Sequence, residues 1–162
     1  DIMLKTADVE LVVSRTICSG KYMSIIGGDV AAVRSSVETA IDTIGFGVID
    51  YFIIPNVHPD VFPALAGHSN VDLLQALGIL ESFSVASLIE AADAAVKAAK
   101  VRLIEIRLAM ALGGKAFCTI TGEVAAVQAA VDAGAQVIQE KGLLVNKIVI
   151  PQPRQELLRE MI

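Results

Sequence analysis

Residues 20–38, GKYMSIIGGDVAAVRSSVE, can be laid over residues 114–132, GKAFCTITGEVAAVQAAVD, with 9 of 19 positions identical. Chance would give roughly one or two. The shared run includes Val30-Ala31-Ala32-Val33 against Val124-Ala125-Ala126-Val127. Extended backward, Met3-Leu4-Lys5-Thr6-Ala7-Asp8-Val9 matches Ala95-Val96-Lys97-Ala98-Ala99-Lys100-Val101, and forward, Ile53-Ile54-Pro55 matches Val149-Ile150-Pro151. The 162 residues are therefore a duplication, divided into a first domain over 1–70 and a second over 71–162.

The second copy predicts its elements one by one. Leu77 to Glu81 reads as a short strand. Ser84 to Ala99 has a capping Ser and helical apolar spacing, and Val101 to Arg107 alternates apolar and charged residues like a half-buried strand. A turn at Gly113-Gly114 leads into a strand from Lys115 to Thr121, a helix from Glu123 to about Lys141 and a strand from Leu143 to Ile150. This is the ferredoxin-like order βαββαβ. The first copy repeats it with a helix to Ala7, strands over Val9 to Arg15 and Lys21 to Gly27, a helix from Asp29 to Ile44 and a strand from Gly47 to Ile54. The predicted class is α+β, a tandem duplication whose first copy lacks its opening strand. The second copy has 18 residues, Gln75 to Ala92, ahead of the position matching Asp1. Losing an interior strand would bare backbone groups on both neighbours, so a natural chain longer at its N-terminus by a similar length is expected. The polar, helically spaced Pro153 to Glu160 does not alternate and cannot replace that strand.

Composition excludes several function classes. Apolar residues make up 54 % and charged ones 19 %, which specifies a folded core. A net charge of −5 with no basic cluster excludes a phosphate-dominated nucleic-acid binder. Charges interrupt every apolar run, so no membrane span is expected. Cys18 and Cys118 form neither a disulfide framework nor a CxxC pair, which fits a reducing, cytoplasmic setting.

Candidate chemistry is sparse. His58 and His68 lie between the copies without a carboxylate or Cys at ligand spacing and are expected to be solvated loop residues. Gly27-Gly28-Asp29 and Thr121-Gly122-Glu123 lead from strand to helix where a phosphate could sit, but Asp29 and Glu123 suit capping and would repel it. No nucleotide, hydrolase or metalloprotease motif occurs, so no enzyme is expected. Cys118 alternates within a strand and reads as a buried, inert thiol. Cys18 sits in the loop Thr16-Ile-Cys-Ser-Gly20, where four residues separate Arg15 from Gly20 against six between Arg107 and Gly114. It is either a loop thiol without a role or, because one thiol cannot hold a metal group, one of several gathered on the axis of a symmetric oligomer.

The paired strings Leu4-Lys5-Thr6-Ala7-Asp8-Val9 and Val96-Lys97-Ala98-Ala99-Lys100-Val101, the GGDVAAV and TGEVAAV helix starts, and the Ile54-Pro55 and Ile150-Pro151 strand ends resemble bacterial microcompartment shell proteins of the tandem-domain class. Ser14 to Lys21, Asn56-Val-His58-Pro, Lys141 to Val145 and Ile150-Pro-Gln-Pro resemble shell proteins of propanediol utilisation in particular. The resemblance implies a homotrimer that imitates a hexamer and tiles with other shell proteins around enzymes, a redox enzyme of the lumen among the partners it allows. It implies that Cys18 lies at the three-fold axis, where three chains ligate one 4Fe-4S cluster and pass electrons across the shell. Ile17, Ser19, Gly20, Gly113 and Gly114 then line the axis. Lys5 and Lys97 become edge residues that pack against counterparts and donate to carbonyls of a neighbour. Shell domains often carry Arg after the Ile-Pro strand end, whereas here Asn56 and Gln152 stand there and Arg154 follows two positions later. Two other readings stay open: a shell trimer with an open or gated metabolite pore, and a small-molecule-binding regulator of ferredoxin-like fold.

Overall fold

The computed structural model describes residues 1–67, 71–109 and 113–161, without the side chains of residues 19, 160 and 161. The chain divides into two compact units, Asp1–Pro55 and Asn56–Ile162.

The second unit carries the complete repeat. Its strands are β3 (Ala76–Ser82), β4 (Val101–Leu108), β5 (Ala116–Gly122) and β6 (Leu144–Ile150), and its long helices are α4 (Val85–Ala98) and α5 (Val124–Glu140). The sheet is antiparallel throughout, ordered β4-β5-β3-β6, so the opening strand β3 lies inside, between β5 and β6. Register places Gly78, Leu80, Ile120, Cys118, Leu103 and Ile106 on the face that α4 and α5 cover. The two helices approach closely at Gly134, where a Cβ would fall 2.8 Å from the Ala91 carbonyl. The opposite face is closed by Val71, Leu74, Leu77 and Ile104 with Ile79, Ile150 and Leu158. Leu158 belongs to the C-terminal segment, a 3-10 turn at Gln155–Leu157 followed by the helix Leu158–Met161. The Gln155 amide donates to the Leu74 carbonyl and accepts from its N–H, which ties this polar tail to the unit. A short helix, α3 (Val61–Ala66), buries Val61 and Ala64 beside β4.

The first unit contains α1 (Ile2–Thr6), β1 (Val9–Ile17), β2 (Lys21–Gly28) and α2 (Val30–Ile44), and its sheet has two strands. The Ser36 hydroxyl, buried in α2, donates to the Met3 carbonyl at 2.9 Å and fixes α1 on α2. The strand expected from Gly47 to Ile54 does not form. Gly45–Gly47 is a 3-10 turn, and residues 48–54 join no ladder. The reason is visible in the second unit, where the matched strand β6 pairs with β3. The described residues of the first unit contain no counterpart of β3, so the segment has the right pattern and no partner.

The two hairpins share an irregularity. In β1 the register slips between Leu11 and Val13, and in β4 between Leu103 and Glu105, leaving Val12 and Ile104 as the extra residues of matched bulges. In β4 this interrupts the expected alternation. Ile104 and Glu105 both belong to the face away from the long helices, and Glu105 is buried rather than solvated. Its charge is met by Arg107, whose Nε lies 2.6 Å from Oε1 and whose guanidinium stacks over the Phe117 ring at 5.4 Å.

Candidate functional site

Hairpin tips carry the axis candidates. Ile17 ends β1 opposite Lys21, and Cys18–Gly20 forms a 3-10 turn that closes the hairpin. Cys18 is half-buried there. Gly20 has φ +71, a left-handed conformation that side chains rarely adopt, and a Cβ on it would meet nothing within 4 Å. In the second unit Gly113 and Gly114 occupy the matching tip with φ of +63 and +88, again facing open space. Cys118, by contrast, is wholly buried on the helix-facing side of β5, and burial pushes its thiol up to about 12. It is the inert thiol its alternation predicts. Among the described residues no three His, Cys, Asp or Glu side chains lie together within one chain.

The edge candidates occupy matched helix ends. Lys5 in the last turn of α1 pairs with Asp1 at 2.7 Å, and Lys97 in the last turn of α4 pairs with Asp93 at 2.6 Å. The sequence singles out Lys97 of the second pair but not its partner Asp93. Asp93 is buried, which the sequence does not display, although Asp1-x-x-x-Lys5 and Asp93-x-x-x-Lys97 repeat one spacing in both copies.

Other sequence candidates resolve into structural roles. His58 is half-buried rather than solvated: its N–H donates to Asp93 Oδ1 at 2.7 Å, and its Nδ1 accepts from the Asp60 N–H at 3.2 Å. His68 lies outside the described residues. Asp29 caps α2 by accepting from the Ala31 N–H at 2.9 Å, whereas Glu123 occupies the cap position of α5 without that bond. An open groove of about 790 Å³ beside Glu123 is lined by the charged Asp72, Lys100 and Arg102, the polar Gln75 and Thr121, and apolar residues. Its charges balance, and Arg102 is engaged by Asp60 at 2.8 Å, so it offers no bias toward an anion. No described helix is long and apolar enough to cross a membrane.

The structure is a duplicated ferredoxin-like unit whose candidate residues lie at hairpin tips and helix ends. The BMC domain profile matches residues 1–57 and 76–153, and the chain belongs to this family of bacterial microcompartment shell proteins. It is 44 % identical over all 162 residues to the shell protein PduT of Citrobacter freundii, covering 88 % of that protein. It is also 44 % identical over 84 residues to the shell protein EutM of Salmonella typhimurium. A crystal structure of a microcompartment protein from Desulfitobacterium hafniense superposes with a TM-score of 0.91 at 50 % identity, over 98 % of this chain and 88 % of that one. The protein is thus a structural component of a microcompartment shell, with two tandem BMC domains.

Proposed function

We propose that three chains assemble into a ring of alternating first and second domains that tiles with other shell proteins. In this reading the Cys18 turns meet on the three-fold axis, and Cys18 of each chain ligates one shared 4Fe-4S cluster. The observation that carries it is the Cys18–Gly20 turn, a tight hairpin tip with a half-buried thiol and an unobstructed glycine, in the copy whose loop is shorter than its counterpart. Symmetry makes three ligands from one, and the fourth iron takes a non-protein ligand. Bound there, the cluster would supply one-electron transfer across the shell, with a lumen redox enzyme as exchange partner. The chain's own part is to hold the thiolates at fixed spacing, to let backbones approach at Gly20, and to close the axis that would otherwise be a metabolite pore.

Anaerobically purified protein should elute as a trimer, absorb in the visible and give an EPR signal after reduction. Cys18→Ser should abolish both spectroscopic signals with the trimer intact, and Cys118→Ser should spare them. A full iron load on the Cys18→Ser trimer refutes the ligand assignment. A wild type that binds no iron under anaerobic reconstitution leaves the pore reading.

A further inference from the structure

The open ends of the two long hairpins, opposite their tips, are built alike. Val9 of β1 faces Gly28, and Val101 of β4 faces Gly122. A Cβ on either glycine would approach the carbonyl oxygen of the residue before that valine, Asp8 at 3.4 Å in one copy and Lys100 at 3.2 Å in the other. The backbones are thus equivalent over Asp8-Val9-Glu10 and Lys100-Val101-Arg102. The side chains are not, because the duplication keeps the valine and reverses both charges around it. Lys100 and Arg102 are exposed, and Arg102 gives its Nε to Asp60 at 2.8 Å. Lys100 joins no ion pair among the described residues. Asp29 and Glu123, across the hairpins, share one sign, so the reversal is confined to the strand starts.

A strand advances about 3.3 Å per residue, so Val9 lies about 26 Å from Ile17 along β1 and Val101 about 23 Å from Leu108 along β4. In a ring whose hairpin tips meet on the axis, the reversed residues therefore lie on the rim. Like rims meeting across a two-fold axis would set Asp8 and Glu10 against their own copies, and Lys100 and Arg102 against theirs. Unlike rims bring opposite charges together. We infer that the Asp8/Glu10 rim of the first domain docks on the Lys100/Arg102 rim of the second domain in another copy of this chain, in the neighbouring trimer. This rests on the assembly reading above, and the charge complementarity of two structurally matched faces carries it. In a six-sided ring with alternating edges, the edge opposite a first-domain edge belongs to a second domain. Unlike pairing thus lets every trimer repeat by simple translation.

Charge reversal in the full chain tests the pairing. Asp8→Lys and Lys100→Asp each set like charges together, whereas the double variant exchanges the two signs and keeps the net charge of −5. The readout is the lowest concentration at which trimers form sheets by light scattering and electron microscopy, at low and high salt. Each single variant should raise that concentration roughly three- to tenfold at low salt and little at high salt, and the double variant should return close to wild type. An equimolar mixture of the two single variants should assemble better than either alone, since the reversed first rim of one meets the reversed second rim of the other. Wild-type behaviour of either single variant, a double variant as impaired as both singles combined, or single effects of opposite sign, as net charge alone would give, overturn the inference with the assembly intact. A wild type that stays monomeric or forms no sheets overturns the assembly reading itself. Should a reversal block trimer formation, Asp8→Asn and Lys100→Gln replace it: each should raise the concentration by a smaller factor and the two together no further, and additive rises refute the pairing.

Discussion

Gly134→Ala is a severe test of how the second unit is packed. A Cβ at this position would lie 2.6 Å from Leu80 Cδ1, 2.8 Å from the Ala91 carbonyl oxygen and 3.4 Å from Ala95 Cβ. The leucine methyl can rotate away. The carbonyl cannot, because it belongs to the backbone of α4, so α4 and α5 must separate by several tenths of an ångström along their shared seam. Overpacking of this kind costs about 1–3 kcal/mol, and a rigid backbone neighbour argues for the upper end. Replacing a mid-helix glycine by alanine returns up to about 1 kcal/mol. The net loss is about 2 kcal/mol, which for a unit of this size lowers the melting temperature by about 8 °C. Calorimetry should show this drop, and urea titration should show a lower midpoint at unchanged slope. A melting temperature equal to or above that of the wild type would refute the close-approach argument. The matched position in the first copy is Ala40.

Two further outcomes follow from the caps and the buried thiol. Ser84→Ala removes the acceptor for the Ser87 N–H and should destabilise by about 1 kcal/mol, whereas Glu123→Ala, which removes no capping bond, should stay within about 0.5 kcal/mol in the same denaturation assay. Cys118 keeps its proton in the folded state up to about 12, against an ordinary value of 9.0. Between those values the folded chain holds a proton that the unfolded chain has released. Its contribution is therefore complete below about pH 9 and is lost toward pH 12 by about 1.4 kcal/mol per pH unit. The pH dependence of stability over that window should be shallower in Cys118→Ala, and identical slopes would contradict the burial argument.

The second unit was legible because its elements satisfy one another locally. Ser84 announces α4, Gly113-Gly114 the hairpin tip and Pro151 the end of β6. The first unit shows where such reading stops. Ile53-Ile54-Pro55 copies Val149-Ile150-Pro151, yet a strand needs a neighbour's backbone, and β3 supplies it only once among the described residues. Glu105 departs from the alternation because the consecutive apolar residues Leu103 and Ile104 mark a change in its phase. At the candidate edge, Lys97 was legible from the repeat, but the burial of Asp93 and its bond to the His58 backbone depend on how residues 56–60 fold against α4. The tip at Cys18 was legible through its loop length.

The paired bulges bear on how the hairpin tips can vary. Strand side chains alternate with a period of two and the bulge absorbs one extra residue, so deleting Ile104 would restore an unbroken alternation and leave Glu105 opposite Thr119 and Ile106 opposite Cys118. A further residue inserted between the bulge and the tip would reverse every position beyond it, whereas the loop past the strand can change its length. The phase of the final residues is set by pairing across each hairpin, which leaves Val12 and Ile104 as the extra residues, and the loop itself carries none of that information. One copy has accordingly kept a compact tip holding a thiol while the other has lengthened around two glycines, and neither change has rotated Arg15 or Arg107 out of its place. A lineage in need of a chemically different hairpin tip can rewrite these few residues without disturbing the frame that delivers them.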